Sequence, residues 1–211
     1  DITNNANGAY DALVRLAATD RSTLFVGTET GRVLLKDTRD FEHTNGFSLH
    51  HRVSALSLCK GSPLFAAGSQ NSVRIYDIRR LSDPVAKLTY AGRDEVSALA
   101  WGTNLLSKRL MVAFGGKTPV ITVNDAMGCL QQRCAQKTFG VVTSILTTCT
   151  DAFITMRKNP EGKSTVVWEY GSSEGLSCTQ IGATYEGRAV TPTSAVLGKN
   201  EDFMVTVFSE Q

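Results

Sequence analysis

Residues 64–101, LFAAGSQNSVRIYDIRRLSDPVAKLTYAGRDEVSALAW, constrain this chain more than any other stretch. Short apolar runs are broken there at regular intervals by turn-forming residues. Leu64 to Ala67 reads as a strand, Gly68-Ser69-Gln70-Asn71 as a turn, and Val73 to Asp77 as a strand of alternating polarity. Pro84 to Tyr90 gives a third strand, Ala91-Gly92-Arg93-Asp94 a second turn, and Val96 to Trp101 opens the next unit. Strands this short, joined by tight turns, cannot bury an apolar face alone. They need like units stacked against them.

The unit recurs. VLLKD ends at Asp37, VRIYD at Asp77, PVITVN at Asn124 and TVVWE at Glu169, at intervals of 40, 47 and 45 residues. Four strands with their turns use about 40–45 residues, the period of a WD-repeat blade. A matching apolar run precedes each ending: LFVGT at 24–28, LFAAGS at 64–69, LMVAFGG at 110–116 and AFITM at 152–156. Opening strands follow at RVSALSL (52–58), EVSALAW (95–101) and GVVTSIL (140–146). The expected fold is all-β, a WD-repeat β-propeller with four complete blades and part of a fifth, belonging to a seven-bladed whole. The predicted blades are roughly 9–50, 51–94, 95–138 and 139–186, with a partial one at 187–211 and a tail or linker at 1–8. Ala9 to Ala18 could pass for a helix by composition, but its place before LFVGT makes it an opening strand. Arg39 to Asn45 is read as a tip leading to a fourth strand near Gly46 to Leu49. RKNPEGKS at 157–164 is read as a long charged turn. Because an open stack leaves sheet faces uncovered, the sequence is expected to be a portion of a longer chain or to be completed by a partner.

Composition narrows the functional classes. With 211 residues, 42% hydrophobic, 20% charged and a formal net charge of +2, the chain reads as an ordinary globular protein. No apolar run approaches the roughly 18–20 residues of a membrane-spanning helix, so membrane insertion is not expected. The five cysteines lack metal-type spacing and fall mostly in strands, so reduced, buried thiols are expected, in the cytoplasm or nucleus.

Catalytic and cofactor chemistry finds little support. Gly115-Gly116-Lys117-Thr118 lacks the upstream glycine of a phosphate loop and is not followed by a helix whose N-terminal amides could hold phosphate. Histidines 50 and 51 are adjacent, and adjacent strand residues point to opposite faces, so they do not grip one metal together. No nucleophile–base pattern is visible. No cofactor, metal, small-molecule substrate or catalytic residue is expected.

Propellers work through their rims, where turns from successive blades converge. Turns on one rim carry Arg32, Arg52, Arg93, Lys117, Lys137, Arg157, Lys158, Lys163 and Arg188, against Glu29, Asp94, Glu95, Glu161 and Glu186. This basic bias suits an acidic peptide. A polar turn set with no function is the competing reading. Nucleic acid is a poorer fit, because no aromatics are interleaved among the basic turns.

The order of these details resembles the fizzy and fizzy-related coactivators of the anaphase-promoting complex. LFVGTETGRVLLKD is similar to that family's blade with a GT turn. RVSALSL, LFAAGS and IYDIR resemble its next blade with the D-[IV]-R ending. VSALAW and LMVAFGGKTPVITVN resemble its A-W … G-G-G-T blade, and VVTSILTT, FITM and VVWEY a further one. The pattern covers about Ala9 to Gln211. The chain departs from the family by lacking a blade between Arg79 and Ala100, by carrying Gly162-Lys163-Ser164 in place of a Q-N-Q turn, and by stopping before the final strand. The resemblance implies a substrate-recognition subunit of a ubiquitin ligase that binds short degron motifs on its top face. Only Thr118, in the G-G-x-T position, carries over from the family and would hydrogen-bond the motif. Lys117, Arg93, Arg157, Arg52 and Arg188, from the basic bias of the turns, would complete a peptide-binding top face and receive its acidic groups. The alternative is a WD-repeat scaffold subunit of a large multiprotein or ribonucleoprotein assembly. In both readings the partners are other proteins.

Overall fold

A computed structural model describes residues 13–18, 23–37, 39–90, 94–102, 108–115, 120–135, 141–147, 152–158, 164–172, 175–179, 190–197 and 204–210. Among the described residues there is no helix. The first sheet contains β1 (Leu13–Ala18), β2 (Thr23–Thr28), β3 (Arg32–Asp37) and β4 (Asp40–Ser48). The second contains β5 (Ala55–Leu58), β6 (Leu64–Ser69), β7 (Ser72–Asp77) and β8 (Ala86–Thr89). The third contains β9 (Val96–Trp101), β10 (Leu110–Phe114), β11 (Val120–Asn124) and β12 (Leu130–Ala135). A fourth contains β13 (Val141–Thr147), β14 (Ala152–Lys158), β15 (Ser164–Ser172) and β16 (Gly175–Thr179), and β17 (Val190–Leu197) pairs with β18 (Met204–Glu210). Strands within each sheet neighbour one another in chain order. The strand pairings are antiparallel, as sequential strands joined by short turns require.

The chain divides into two compact units, 1–96 and 97–211. In the first, successive residues of β6 and β7 point to opposite faces. One face presents Phe65, Ala67 and Tyr76 to Phe25, Val33, Leu49 and Val53 of the first sheet and its exit segment. Four rings interlock there: Phe25 and Phe65 have centroids 4.8 Å apart, Phe47 and Tyr76 4.3 Å, Phe65 and Tyr76 5.4 Å, and Phe47 and Phe65 5.9 Å. Tyr76 stands where a WD repeat often has tryptophan, and it fills the same layer. In the second unit, Ala98, Ala100, Met111, Ala113, Ile121 and Val123 form one face that packs on Val142 and Ile145 of β13. All five residues of β10 and of β11 are buried, so both faces of those strands are covered.

Several element bounds differ from the sequence expectation. Gly68 and Ser69 belong to β6, where Gly68 pairs with both Ala55 and Val73, and the turn shrinks to Gln70 and Asn71. Gln70 takes a positive φ of 50° so that two residues suffice. The fourth strand of the first sheet begins at Asp40, well before Gly46, because backbone pairing from Lys36–Thr44 to Arg32–Ser48 does not depend on apolar side chains. Arg157 and Lys158, expected in the charged turn 157–164, are the last residues of β14, paired with Val142 and Val141, and Ser164 at the other end of that stretch opens β15. The second sheet's opening strand starts at Ala55, leaving Arg52 in the segment before it.

Candidate functional site

In a four-stranded antiparallel meander, the connection from the second to the third strand and the exit from the fourth lie at the same end of the sheet. In the first unit these segments are bound to one another. Leu49 N–H donates to the Gly31 carbonyl (2.8 Å) and Val53 N–H to the Thr28 carbonyl (3.1 Å). Ser54 N–H donates to Gly68 (2.9 Å), Tyr90 N–H to Asn71 (3.1 Å) and Val96 N–H to Gln70 (2.6 Å). Two side chains reinforce the rim. The buried Thr28 hydroxyl accepts from Arg32 N–H (3.0 Å), and the buried Ser69 hydroxyl donates to the His51 carbonyl (2.9 Å). Gly31, at φ 86°, lies so close to His51 that a Cβ there would fall 2.4 Å from its carbonyl oxygen. Only glycine permits that approach.

This rim holds two adjoining depressions. One, of about 600 Å³, is lined by His51, Arg52, Gln70, Asn71 and Glu95. The other, of about 240 Å³, shares His51, Gln70 and Asn71 and runs outward to Arg74, Lys87 and Thr89. Arg52, one of the cations the sequence assigned to acidic ligands, is half exposed and pairs with Glu29 at 3.3 Å (Nε to Oε1). Its charge is therefore already met in part by a neighbouring turn. Arg157 sits in β14, where only its backbone is described, paired with Val142 and Thr165. Arg93, Lys117, Thr118 and Arg188 lie outside the described residues. Arg74 and Lys87 escaped the sequence reading because it tallied turns, and both are strand residues. The alternation of β7 put Arg74 on the Tyr76 face, but the eight-residue connection from Ile78 to Val85 hid which residue of β8 it would meet.

The opposite rim has a different chemistry. Asp37 and Asp77 each end the third strand of their sheet and each cap the turn that follows. Asp77 Oδ1 accepts from the N–H of Arg79 (2.9 Å), and its carboxylate takes the Arg79 guanidinium at 2.5 Å (Nη2 to Oδ2). Asp37 does the same with Arg39, at 2.9 Å from the N–H and 2.8 Å from Nη2. The Arg79 bonds hold the Asp77 carboxyl down at about 2, and the carboxylates hold Arg39 and Arg79 above the ordinary guanidinium range. In the third sheet Asp125, just past the end of β11, likewise caps the turn that follows, accepting from the N–H groups of Met127 (2.9 Å) and Cys129 (2.8 Å). Among the described residues, no three or more His, Cys, Asp or Glu side chains gather as metal ligands. Of the cysteines with described surroundings, Cys59 is buried as expected, whereas Cys129 is exposed.

Protein-family models and curated protein sequences give no match to this chain. Solved structures do. A chain of a mitotic checkpoint complex matches with a TM-score of 0.58 and 16% identity, over 97% of this chain and 77% of that one. The β-propeller domain of Cps50 (Swd1) from Myceliophteria thermophila matches with a TM-score of 0.64 and 12% identity, over 94% and 62%. A hydrazine synthase from Kuenenia stuttgartiensis matches with a TM-score of 0.74 and 14% identity, over 92% and 54%. The chain thus spans little more than half to about three quarters of these neighbours' lengths. With its four-stranded antiparallel meanders, it has the fold of a WD-repeat β-propeller. One neighbour carries an enzyme's name, so the fold alone does not separate binding from catalysis.

Proposed function

We propose that this chain is a non-enzymatic protein-interaction propeller that binds short linear motifs along one rim. The observation that carries this reading is the pair of adjoining depressions between the turns of the first two sheets, with polar and charged walls and a rigid hydrogen-bonded floor. Extended peptides suit such a surface, because backbone carbonyls and side-chain amides can meet their polar groups while the rim stays fixed. Within this class, the order of turn and strand details favours a substrate-recognition coactivator of the anaphase-promoting ubiquitin ligase, acting in the cytoplasm or nucleus. A structural neighbour from a mitotic checkpoint complex is in keeping with that choice. Thr118 would bond the motif, with Lys117, Arg93, Arg157, Arg52 and Arg188 as its charged surroundings. Nucleic acid and membrane have no part in this function.

A scaffold subunit of a larger assembly is the second reading. It is favoured by the exposure of Met127 (64%) and Leu130 (58%) around the turn into β12, apolar surface of the kind a neighbouring subunit would cover. Fluorescence anisotropy with KEN-box and destruction-box peptides, against scrambled controls, separates the two. Sequence-specific binding that disappears in Thr118→Ala supports the coactivator. Equal binding of peptide and control removes it and leaves the scaffold.

A further inference from the structure

The smaller depression on the rim of the first unit brings two cations together. Arg74 on β7 and Lys87 on β8 are direct partners in the antiparallel register. Both project from the face that carries Tyr76, toward the first sheet, just beyond the aromatic layer. Directly opposed residues have Cβ atoms about 4.5–5.5 Å apart, and like charges placed so destabilise a ladder. Among the described residues neither side chain has an ion-pair or hydrogen-bond partner. The cavity of about 240 Å³ that they line has no carboxylate in its wall. Its other polar lining includes His50, His51, Gln70 and Thr89, side chains able to donate hydrogen bonds, whereas the Ser69 and Ser72 hydroxyls and one Asn71 amide hydrogen already donate to backbone carbonyls. Two of these rim positions are held in unusual conformations, with His50 at φ 70° and Gln70 at φ 50°.

We infer that this cavity is a binding site for a phosphorylated serine or threonine side chain on a protein segment lying along the rim. The inference rests on the reading of this rim as a peptide-binding surface. A phosphate dianion has the charge to offset both cations at once, and its three free oxygens match the clustered donors. A carboxylate would balance only one of them. The adjoining depression of about 600 Å³, which shares His51, Gln70 and Asn71, gives the residues flanking the phosphate a place on the same rim.

The test uses the full chain and a fluorescein-labelled Gly–Ala peptide with one central phosphoserine, alongside its serine and aspartate counterparts and inorganic phosphate. The phosphopeptide is expected to bind at least about tenfold more tightly than the serine peptide, the worth of one charge-assisted hydrogen bond. The double variant Arg74→Gln, Lys87→Gln should lose this preference. Arg80→Gln, which removes an exposed guanidinium that pairs with Asp83 on the opposite rim, should keep it. Amide and arginine side-chain shifts in the wild-type spectrum, confined to the β7–β8 hairpin and the His50–His51 segment that walls the cavity, locate the site without relying on a variant that must fold. Equal affinity for phosphoserine and serine peptides, an unchanged preference in the double variant, or shifts elsewhere would overturn the proposal. Binding of the phosphopeptide no tighter than inorganic phosphate would overturn the protein source of the ligand. KEN-box and destruction-box peptides carry no phosphate. If they bind while the phosphopeptide does not, this inference fails and the coactivator reading stands.

Discussion

Asp77 shows how a single repeat residue does more than close a strand. In the sequence it is the last letter of VRIYD, and its pairing with a residue two positions on is invisible to a period-two reading. In the structure its carboxylate receives both the N–H and the guanidinium of Arg79, which holds it down at about 2. A depressed folded-state value means the ionised form is favoured in the fold. Its contribution is therefore complete above the ordinary carboxylate value of about 3.9 and is lost as pH falls toward 2. Carboxyl-detected NMR should give Asp77 a midpoint near 2, and Arg79→Gln should return it to the usual carboxylate range. A midpoint near 4 in the wild type would show the pair to be absent in solution. The same scale explains why one pairing in the candidate site was not legible in the sequence. Arg52 was legible as a basic turn residue, but its partner Glu29 is 23 positions away, a separation no local pattern reveals.

Among the elements, existence was far more legible than extent. Leu24 to Thr28, Leu64 to Ser69 and Leu110 to Phe114 announce themselves as strands because both their faces are buried and their sequences are nearly all apolar. The long polar start of β4, from Asp40 onward, carries no such mark, because its pairing is made by backbone groups. The aromatic layer of the first unit was legible only as separate apolar letters. Phe65, fully buried, touches Phe25, Phe47 and Tyr76 from two sheets. Phe65→Ala should lower stability by about 3–5 kcal/mol, since a ring-sized hole opens between two sheets that relax little. Val85→Ala, at a residue 43% exposed, should change it by no more than about 0.5 kcal/mol. Urea unfolding followed by circular dichroism measures both. A loss at Phe65 as small as that at Val85 would mean that the two sheets do not share a packed core.

At the scale of the molecule, charge decides which partners a rim can hold. The net charge is only +2, spread over 22 basic and 20 acidic residues. Several of the described cations are already committed, Arg39 to Asp37, Arg79 to Asp77 and Arg52 to Glu29. A duplex binder needs a continuous basic footprint, because most of its affinity comes from displacing counterions along the phosphate backbone. A few cations around one small cavity cannot supply that, though they can hold one phosphate group on a protein segment. Random-sequence duplex DNA should therefore bind more weakly than about 10⁻⁴ M at physiological salt, below the range typical of non-specific DNA-binding proteins. Fluorescence anisotropy with a labelled duplex, titrated at several salt concentrations, reads this directly. Tight binding with a steep salt dependence would reveal a basic surface beyond the cations placed here, and would favour the ribonucleoprotein form of the scaffold over a receptor for short protein motifs.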